Sequence, residues 1–257
     1  MHDAEEPDDI AQIVMAELND TLATAVENLE LRLRLPTGTK AELYGTAPFT
    51  PTATGCDALV GSLLGGATRR VVIKLRLPAG DDASTLAVGL AARWTVPGDN
   101  EPRDCDVAVP VLRFDSAKAC LAQPRDRDVA KTVVEQWVAH VYYRAMTLNQ
   151  DGDEQSAAKF VEREAKYLRR YCEGVPELED LYAGLDAFGC SVQHHFSAHT
   201  SKEMMLRAYK TSRGELNRRS RETFDFRTLT AMEDANRGPS ARRARKADRA
   251  SPPDQTP

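Results

Sequence analysis

The chain has 257 residues, 42% of them hydrophobic and 28% charged, with a formal net charge of -5. That length suits two domains, and that much apolar material is enough for buried cores. Five cysteines without a CxxC pair exclude zinc-ribbon and thioredoxin-like readings, and no apolar run approaches the ~20 residues of a membrane-spanning helix.

Charge is unevenly spread. Residues 1–26 hold Asp3, Glu5, Glu6, Asp8, Asp9, Glu17 and Asp20 and no Lys or Arg. Asp8 to Val26 reads as an amphipathic helix, with Ile10, Ile13, Val14, Leu18 and Leu22 at intervals of three and four. Pro7, Asp8 and Asp9 suit its start.

Asn28 to Phe114 reads as a block of strands. Leu29, Leu31, Leu33 and Leu35 alternate with Glu30, Arg32 and Arg34. Pro36 to Thr39 is turn chemistry, and Ala41 to Tyr44 returns as a strand. Val60 to Pro78 is the expected centre of the sheet. Within it Val71, Ile73, Leu75 and Leu77 alternate with Lys74 and Arg76, after a Gly65-Gly66 turn entered by Leu59, Leu63 and Leu64. Leu75 is therefore expected in the core. Leu86 to Val96 alternates again, and Val107, Val109, Val111 and Phe114 close the set. Loops are expected at 45–56, 79–84 and 97–106, at the ends of an antiparallel β-sandwich.

From Arg125 the period changes to that of helices. Val129, Val133, Trp137, Val141 and Ala145 recur every four residues, widened by Val134, Val138 and Leu148. Trp137, Tyr142 and Tyr143 read as core. Asp151 to Asp153 is a break, and a second helix follows on Phe160, Val161, Ala165 and Leu168, stopped by Gly174 and Pro176. Leu178, Leu181, Tyr182, Leu185 and Phe188 mark a third helix, and Met205, Tyr209 and Leu216 a fourth. Residues 235–257 carry Arg237, Arg242, Arg243, Arg245, Lys246 and Arg249 against Asp248 and Asp254, with no apolar period, and are expected to be disordered. The expected fold is α+β: an acidic helix or linker at 1–26, a β-sandwich at 27–115, a helical hairpin bundle at 116–234, and a basic tail at 235–257.

This order of parts resembles the region that follows the von Willebrand factor A domain in bacterial calcium-activated-chloride-channel-like proteins. Ala16 to Asp20 running into Asn28 to Leu33, and Gly61 to Gly66 before Val71 to Pro78, carry the resemblance in the front part. Ala145 to Asn149, Gly152-Asp153 and Ala157-Ala158 carry it in the helices. The match covers roughly residues 8 to 215. The Asp-x-Ser-x-Ser motif with which the A domain holds Mg²⁺ does not occur in this chain, so that metal site is carried over to no residue. Either the chain is a fragment whose A domain is missing or it is a stand-alone descendant. The front stripe of Ile10, Ile13, Val14, Leu18 and Leu22 favours the first, because it lacks the cover an A domain would give it. What the resemblance implies is binding and scaffolding, with a protein partner that includes an A domain supplied upstream or by another chain.

Three features are candidates for chemistry. Asp151, Asp153, Gln155 and Glu162 fall at the first, third, fifth and twelfth places of an EF-hand count, but Ser156 stands where the turn needs glycine and Lys159 intrudes. An N-cap role for Asp153 is the plainer reading. Cys190, His194, His195 and His199 would offer zinc ligands for a metal-dependent hydrolase, at a spacing unlike known zinc forms. Arg242 to Lys246 would attract phosphate backbones or an acidic partner, though no aromatic residue interleaves for base stacking, and a solubilising tail is the plainer reading. The function expected is a non-enzymatic interaction and scaffold module in the cytoplasm, where thiols stay reduced. No catalytic, cofactor or metal residue is named, and nucleic acid is not expected as a partner.

Overall fold

The computed structural model describes residues 23–214. The fold is α+β, with antiparallel sheets. The chain divides into two compact units between Thr132 and Val133.

The first unit is built on a five-stranded sheet. Its strands are β1 (Thr24–Arg34), β3 (Phe49–Thr52), β4 (Gly55–Leu64), β7 (Gly89–Val96) and β8 (Asp99–Val107), in the order β3-β4-β1-β7-β8. Two smaller sheets pair β2 (Lys40–Tyr44) with β5 (Val72–Arg76), and β6 (Thr85–Leu86) with β9 (Leu112–Arg113).

The period of two in β1 sorts the large sheet into two faces. Leu31 faces Ala58 and Ala92, and Leu33 faces Cys56 and Leu90. Between these rows, Arg32 faces Asp57 and Ala91, and Glu30 faces Leu59 and Arg93. The charged face carries the Arg32–Glu30 pair at 2.7 Å and the Arg93–Asp104 pair at 3.9 Å. Among the described residues, the strands of this unit bury Leu33, Cys56, Ala58, Val60 and Ala92 from the large sheet, with Leu43, Tyr44 and Leu86 from β2 and β6.

The centre of the sheet is β1, and this corrects the expectation for Val60 to Pro78. That stretch is divided. Gly65 does not turn β4 back into a hairpin; its N–H donates to Ala23 O at 2.8 Å and prolongs the ladder with β1. The chain then leaves the large sheet, and β5 pairs with β2. Leu75, opposite Ala41, is accordingly half-buried, and Leu77 is exposed.

Other boundaries move for physical reasons. The helix expected to end at Val26 gives way to strand at Thr24; its earlier residues lie outside those described. A bulge follows, where Asn28 and Leu29 of β1 stand against Trp94 alone of β7 between the Glu27–Thr95 and Glu30–Arg93 pairs. Asn28 takes a φ of 54°, which asparagine tolerates better than most residues. Its Nδ2 donates to Thr95 Oγ1 at 3.2 Å, and that hydroxyl donates to Glu27 O at 3.3 Å.

The loop expected at 45–56 holds the β3–β4 hairpin, with Thr52 opposite Gly55. A Cβ at Gly55 would lie 1.8 Å from Leu33 O, so only glycine lets the hairpin sit this close to β1. The loop expected at 97–106 is mostly β8. This strand is polar and contains Pro102, which a sheet edge accepts because one row of its N–H groups needs no partner. Asp99 opens it, accepting from the Glu101 N–H at 3.0 Å and from Arg103 at 3.2 Å, and these bonds hold its carboxyl below the usual range. Pro110 interrupts the run expected from Val107 to Phe114, leaving Val111 exposed before β9.

Short helix α1 (Ala117–Ala122) precedes the helical region, which sequence periodicity had not marked. Helix α2 (Arg127–Gln150) is buried nearly all round in its middle turns. Gln136 to Ala139 are buried in succession, as are Val141, Tyr142, Ala145, Met146 and Asn149. Val129, expected on the stripe, is exposed. Helix α3 (Glu154–Cys172) is amphipathic and buries Ala157, Val161, Glu164, Ala165, Leu168 and Cys172. Trp137 Nε1 donates to Glu164 Oε2 at 2.9 Å, and the Trp137 and Tyr171 rings meet edge-on at 6.0 Å, which fixes α2 against α3. A 3₁₀ turn (Pro176–Leu181), α4 (Leu185–Ser191) and α5 (Ala198–Arg213) complete the unit. The Tyr142 ring meets Phe188 of α4 at a tilt, 4.6 Å between centroids, and burial pushes its hydroxyl well up.

The inner face of α5 is shifted by one position from the expected one. Thr200, Met204, Ala208 and Ser212 are buried, while Met205 is half-buried and Tyr209 exposed; Leu216 lies outside the described residues. Small residues turn inward because Ser212 closes a reciprocal pair with α2. Its Oγ donates to Gln136 Oε1 at 3.0 Å, and Gln136 Nε2 donates to Ser212 O at 2.9 Å.

Burial ranks two leucines differently from their periodicity. Leu33→Ala is expected to cost ~2–5 kcal/mol, and Leu75→Ala about 1 kcal/mol. Urea denaturation of both variants checks the order, and equal losses would contradict it.

Candidate functional site

Two helices of the second unit frame a cleft. From α3 come Ala158, Val161, Glu162 and Ala165, which share a face at intervals of three and four. From α4 come Leu185, Asp186, Gly189 and Cys190. Gly189 brings the helices together: a Cβ there would meet Val161 Cγ1 at 3.3 Å, tighter than ordinary contact. The cleft measures about 780 Å³. Its floor is the edge of the core, where Val161, Ala165 and Leu185 are buried. Its rim carries Glu154, Glu162 and Asp186 with one cation, Lys159.

Gln193 closes one end, and buried Asn149 of α2 positions it. Asn149 Nδ2 donates to Val192 O and to His194 O, both at 2.9 Å, and its Oδ1 accepts from the Phe196 N–H at 3.0 Å. Irregular backbone beside a core needs such partners, since an unpaired buried carbonyl costs ~1–3 kcal/mol. His195 Nδ1 lies 3.1 Å from Glu154 Oε1 and ties the same segment to the first turn of α3. Asp186 is ion-paired with Arg169. Glu162 is exposed and forms no ion pair among the described residues.

The candidates read from sequence fall into place as follows. Asp153 caps α3, its carboxylate accepting from the Ser156 N–H at 3.1 Å. Glu162 stands nine residues further along, about 13 Å up the helix at 1.5 Å per residue, so it does not fold round an ion with Asp151 and Asp153. Gln155 and Glu162 line the cleft instead. Cys190 also lines it, while His194 and His195 are exposed in the following segment and His199 is exposed on α5. Among the described residues no group of three or more His, Cys, Asp or Glu side chains lies close enough to hold a metal ion, so Cys190, His194, His195 and His199 are not brought together as one ligand set. The basic run Arg242 to Lys246 lies outside the described residues.

A second hollow, of about 550 Å³, lies in the first unit between the Pro36–Thr39 turn and the tip of the β3–β4 hairpin. Cys56 borders it, and burial, helped by Asp57, pushes that thiol up, away from the reactive thiolate. The chemistry-bearing side chains concentrate at the α3–α4 cleft.

No family model matches the chain, and no curated protein matches it. Solved structures similar to it include two von Willebrand factor A proteins. One is the ArnB paralog VWA2 from Sulfolobus acidocaldarius, at 15% identity and a TM-score of 0.37, over 74% of this chain and 43% of that one. The other is a von Willebrand factor type A protein from Catenulispora acidiphila, at 12% identity and a TM-score of 0.40, over 82% of this chain and 51% of that one. The chain spans about half the length of each. Both scores lie below 0.5, and no residue role is carried across. Among the described residues no helix is long and apolar enough to cross a membrane.

Sequence reading missed the cleft. Its signal was present in the small residues Ala158, Ala165 and Gly189, whose lack of bulk lets two helices approach and leaves space above. Asn149→Ala is expected to destabilise the fold by about 3 kcal/mol, since it strips partners from the buried Val192 carbonyl, the half-buried His194 carbonyl and the Phe196 N–H. Denaturation with hydrogen exchange checks this, and unchanged protection at 192–196 would contradict it. Calorimetry with Ca²⁺ and Zn²⁺ is expected to find no site tighter than about 10 µM; a sub-micromolar site lost in His194→Ala would reverse that expectation.

Proposed function

We propose that this chain is a non-enzymatic protein-interaction and scaffold module, and that the α3–α4 cleft is its binding surface. One observation carries the reading: an open cleft with an apolar floor and a charged rim, set on helices held rigidly by buried hydrogen bonds. Apolar floors give affinity and charged rims give orientation, which is the anatomy of a surface that receives a protein segment. In this proposal the three sheets of the first unit act as a β-sandwich spacer, and α2 with α3 forms the helical hairpin that displays the cleft. The order of strands before helices, with the quoted motifs, supports a place beside a von Willebrand factor A domain on the same or another chain. A reducing compartment such as the cytoplasm suits five free thiols.

The test is site-specific crosslinking in cells. A photoreactive residue at Gln155, on the exposed rim, is expected to capture a discrete protein that Ala158→Trp abolishes by filling the cleft, with an unchanged melting temperature. Capture that is identical from Gln155 and from a remote position such as Lys131, or that survives Ala158→Trp, would remove the cleft from consideration.

A further inference from the structure

The rim of the cleft and one segment of the same chain are complementary. The rim presents Glu154, Glu162 and Asp186 against Lys159, and Glu162 lacks an ion partner among the described residues. The segment from 241 to 250 presents Arg242, Arg243, Arg245, Lys246 and Arg249 against Asp248. Its alanines, Ala241, Ala244, Ala247 and Ala250, recur at every third position. In any conformation with about three residues per turn they fall along one edge, with the cations on the others. A narrow edge of methyl groups suits a floor built from Ala158, Val161, Ala165 and Leu185, and the flanking cations suit the rim.

Reach is ample. Gln193 closes the cleft five residues before α5 begins, and α5 is about 24 Å long at 1.5 Å per residue. The 28 residues from Gly214 to Arg242 can extend to about 90 Å, well beyond the return distance along α5. The contacts already on the rim, Glu154 with His195 and Asp186 with Arg169, are made by exposed or half-buried side chains and are worth little each, so they do not bar exchange of partners.

We infer that the basic segment Arg242 to Arg249 docks into the α3–α4 cleft of its own chain and competes there with the partner protein. The inference rests on the reading of the cleft as a binding surface and adds an internal competitor to it.

Cys190 supplies the probe, because it is exposed, lines the cleft, and would be covered by the docked segment. The experiment measures alkylation of the full chain by N-ethylmaleimide, peptide by peptide, with exposed Cys105 and Cys120 as references. Changing Arg242, Arg243, Arg245 and Lys246 to Glu is expected to speed Cys190 alkylation about five- to tenfold, as release of a segment docked about 80–90% of the time requires. The reference cysteines should keep their rates. Raising the salt concentration should have the same selective effect. Adding Glu162→Lys and Asp186→Lys to the charge-reversed segment should restore slow alkylation, which a merely unfolded variant would not do. A Cys190 rate that ignores the segment's charge, or protection that rises with protein concentration and so comes from a second copy, overturns the inference. If capture from Gln155 persists in that case, the cleft remains a binding surface without an internal competitor; if capture fails as well, the underlying reading falls with it.

Discussion

Asn149 lies fully buried in α2, with both amide hydrogens on carbonyls of the segment between α4 and α5 and its oxygen on the Phe196 N–H. Without it that segment would place unpaired polar backbone against a core. The bonds also set where α4 stops and where Ser197 caps α5, its Oγ accepting from the Thr200 N–H at 3.2 Å. Two other buried polar links, Trp137 with Glu164 and Gln136 with Ser212, fix α3 and α5 against the same helix. The α3 wall of the cleft and the segment that closes its end are thus both tied to α2, through polar groups paired inside the interior.

The first unit depends on a different constraint, the close approach of backbone to backbone. Gly55 admits the β3–β4 hairpin beside Leu33, and the bulge at Asn28 bends β1 so that both its neighbours can follow. The two edge strands of the large sheet, β3 and β8, contain Pro51 and Pro102. A proline on an edge cannot donate to an added strand, and β8 is also strongly charged, so the sheet resists extension by a further chain.

Much of this was legible in the sequence because burial leaves a period. The alternation in β1 and the three-and-four spacing in α3 follow directly from which side chains leave water. The break at Asp151 to Asp153 and the stop at Gly174 were legible from backbone chemistry. What was not legible lacks such a mark. Strand β8 sets Asp99, Arg103, Asp104 and Asp106 against β7 and is apolar only at Cys105 and Val107 near its end, so no apolar row runs the length of Asp99 to Val107. The alternation in Val72 to Arg76 says that one face is covered, but not which sheet it joins. The inner face of α5 is small or polar apart from Met204, and larger Met205 and Tyr209 beside it drew the stripe one position off. The cleft arises from absent bulk at Gly189, and hydropathy does not register absence.

The central position of β1 shapes how the chain can form during synthesis. Its first partner, β4, follows within about 20 residues, but its second, β7, begins at Gly89, some 55 residues after Arg34. Long-range pairing of this kind is slow compared with the local contacts of helices. While the chain emerges, one flank of β1 therefore stays open until β7 has left the ribosome. During that interval the β4 ladder covers one edge of β1, and the charges of Arg32 and Arg34 disfavour pairing of nascent chains along the other.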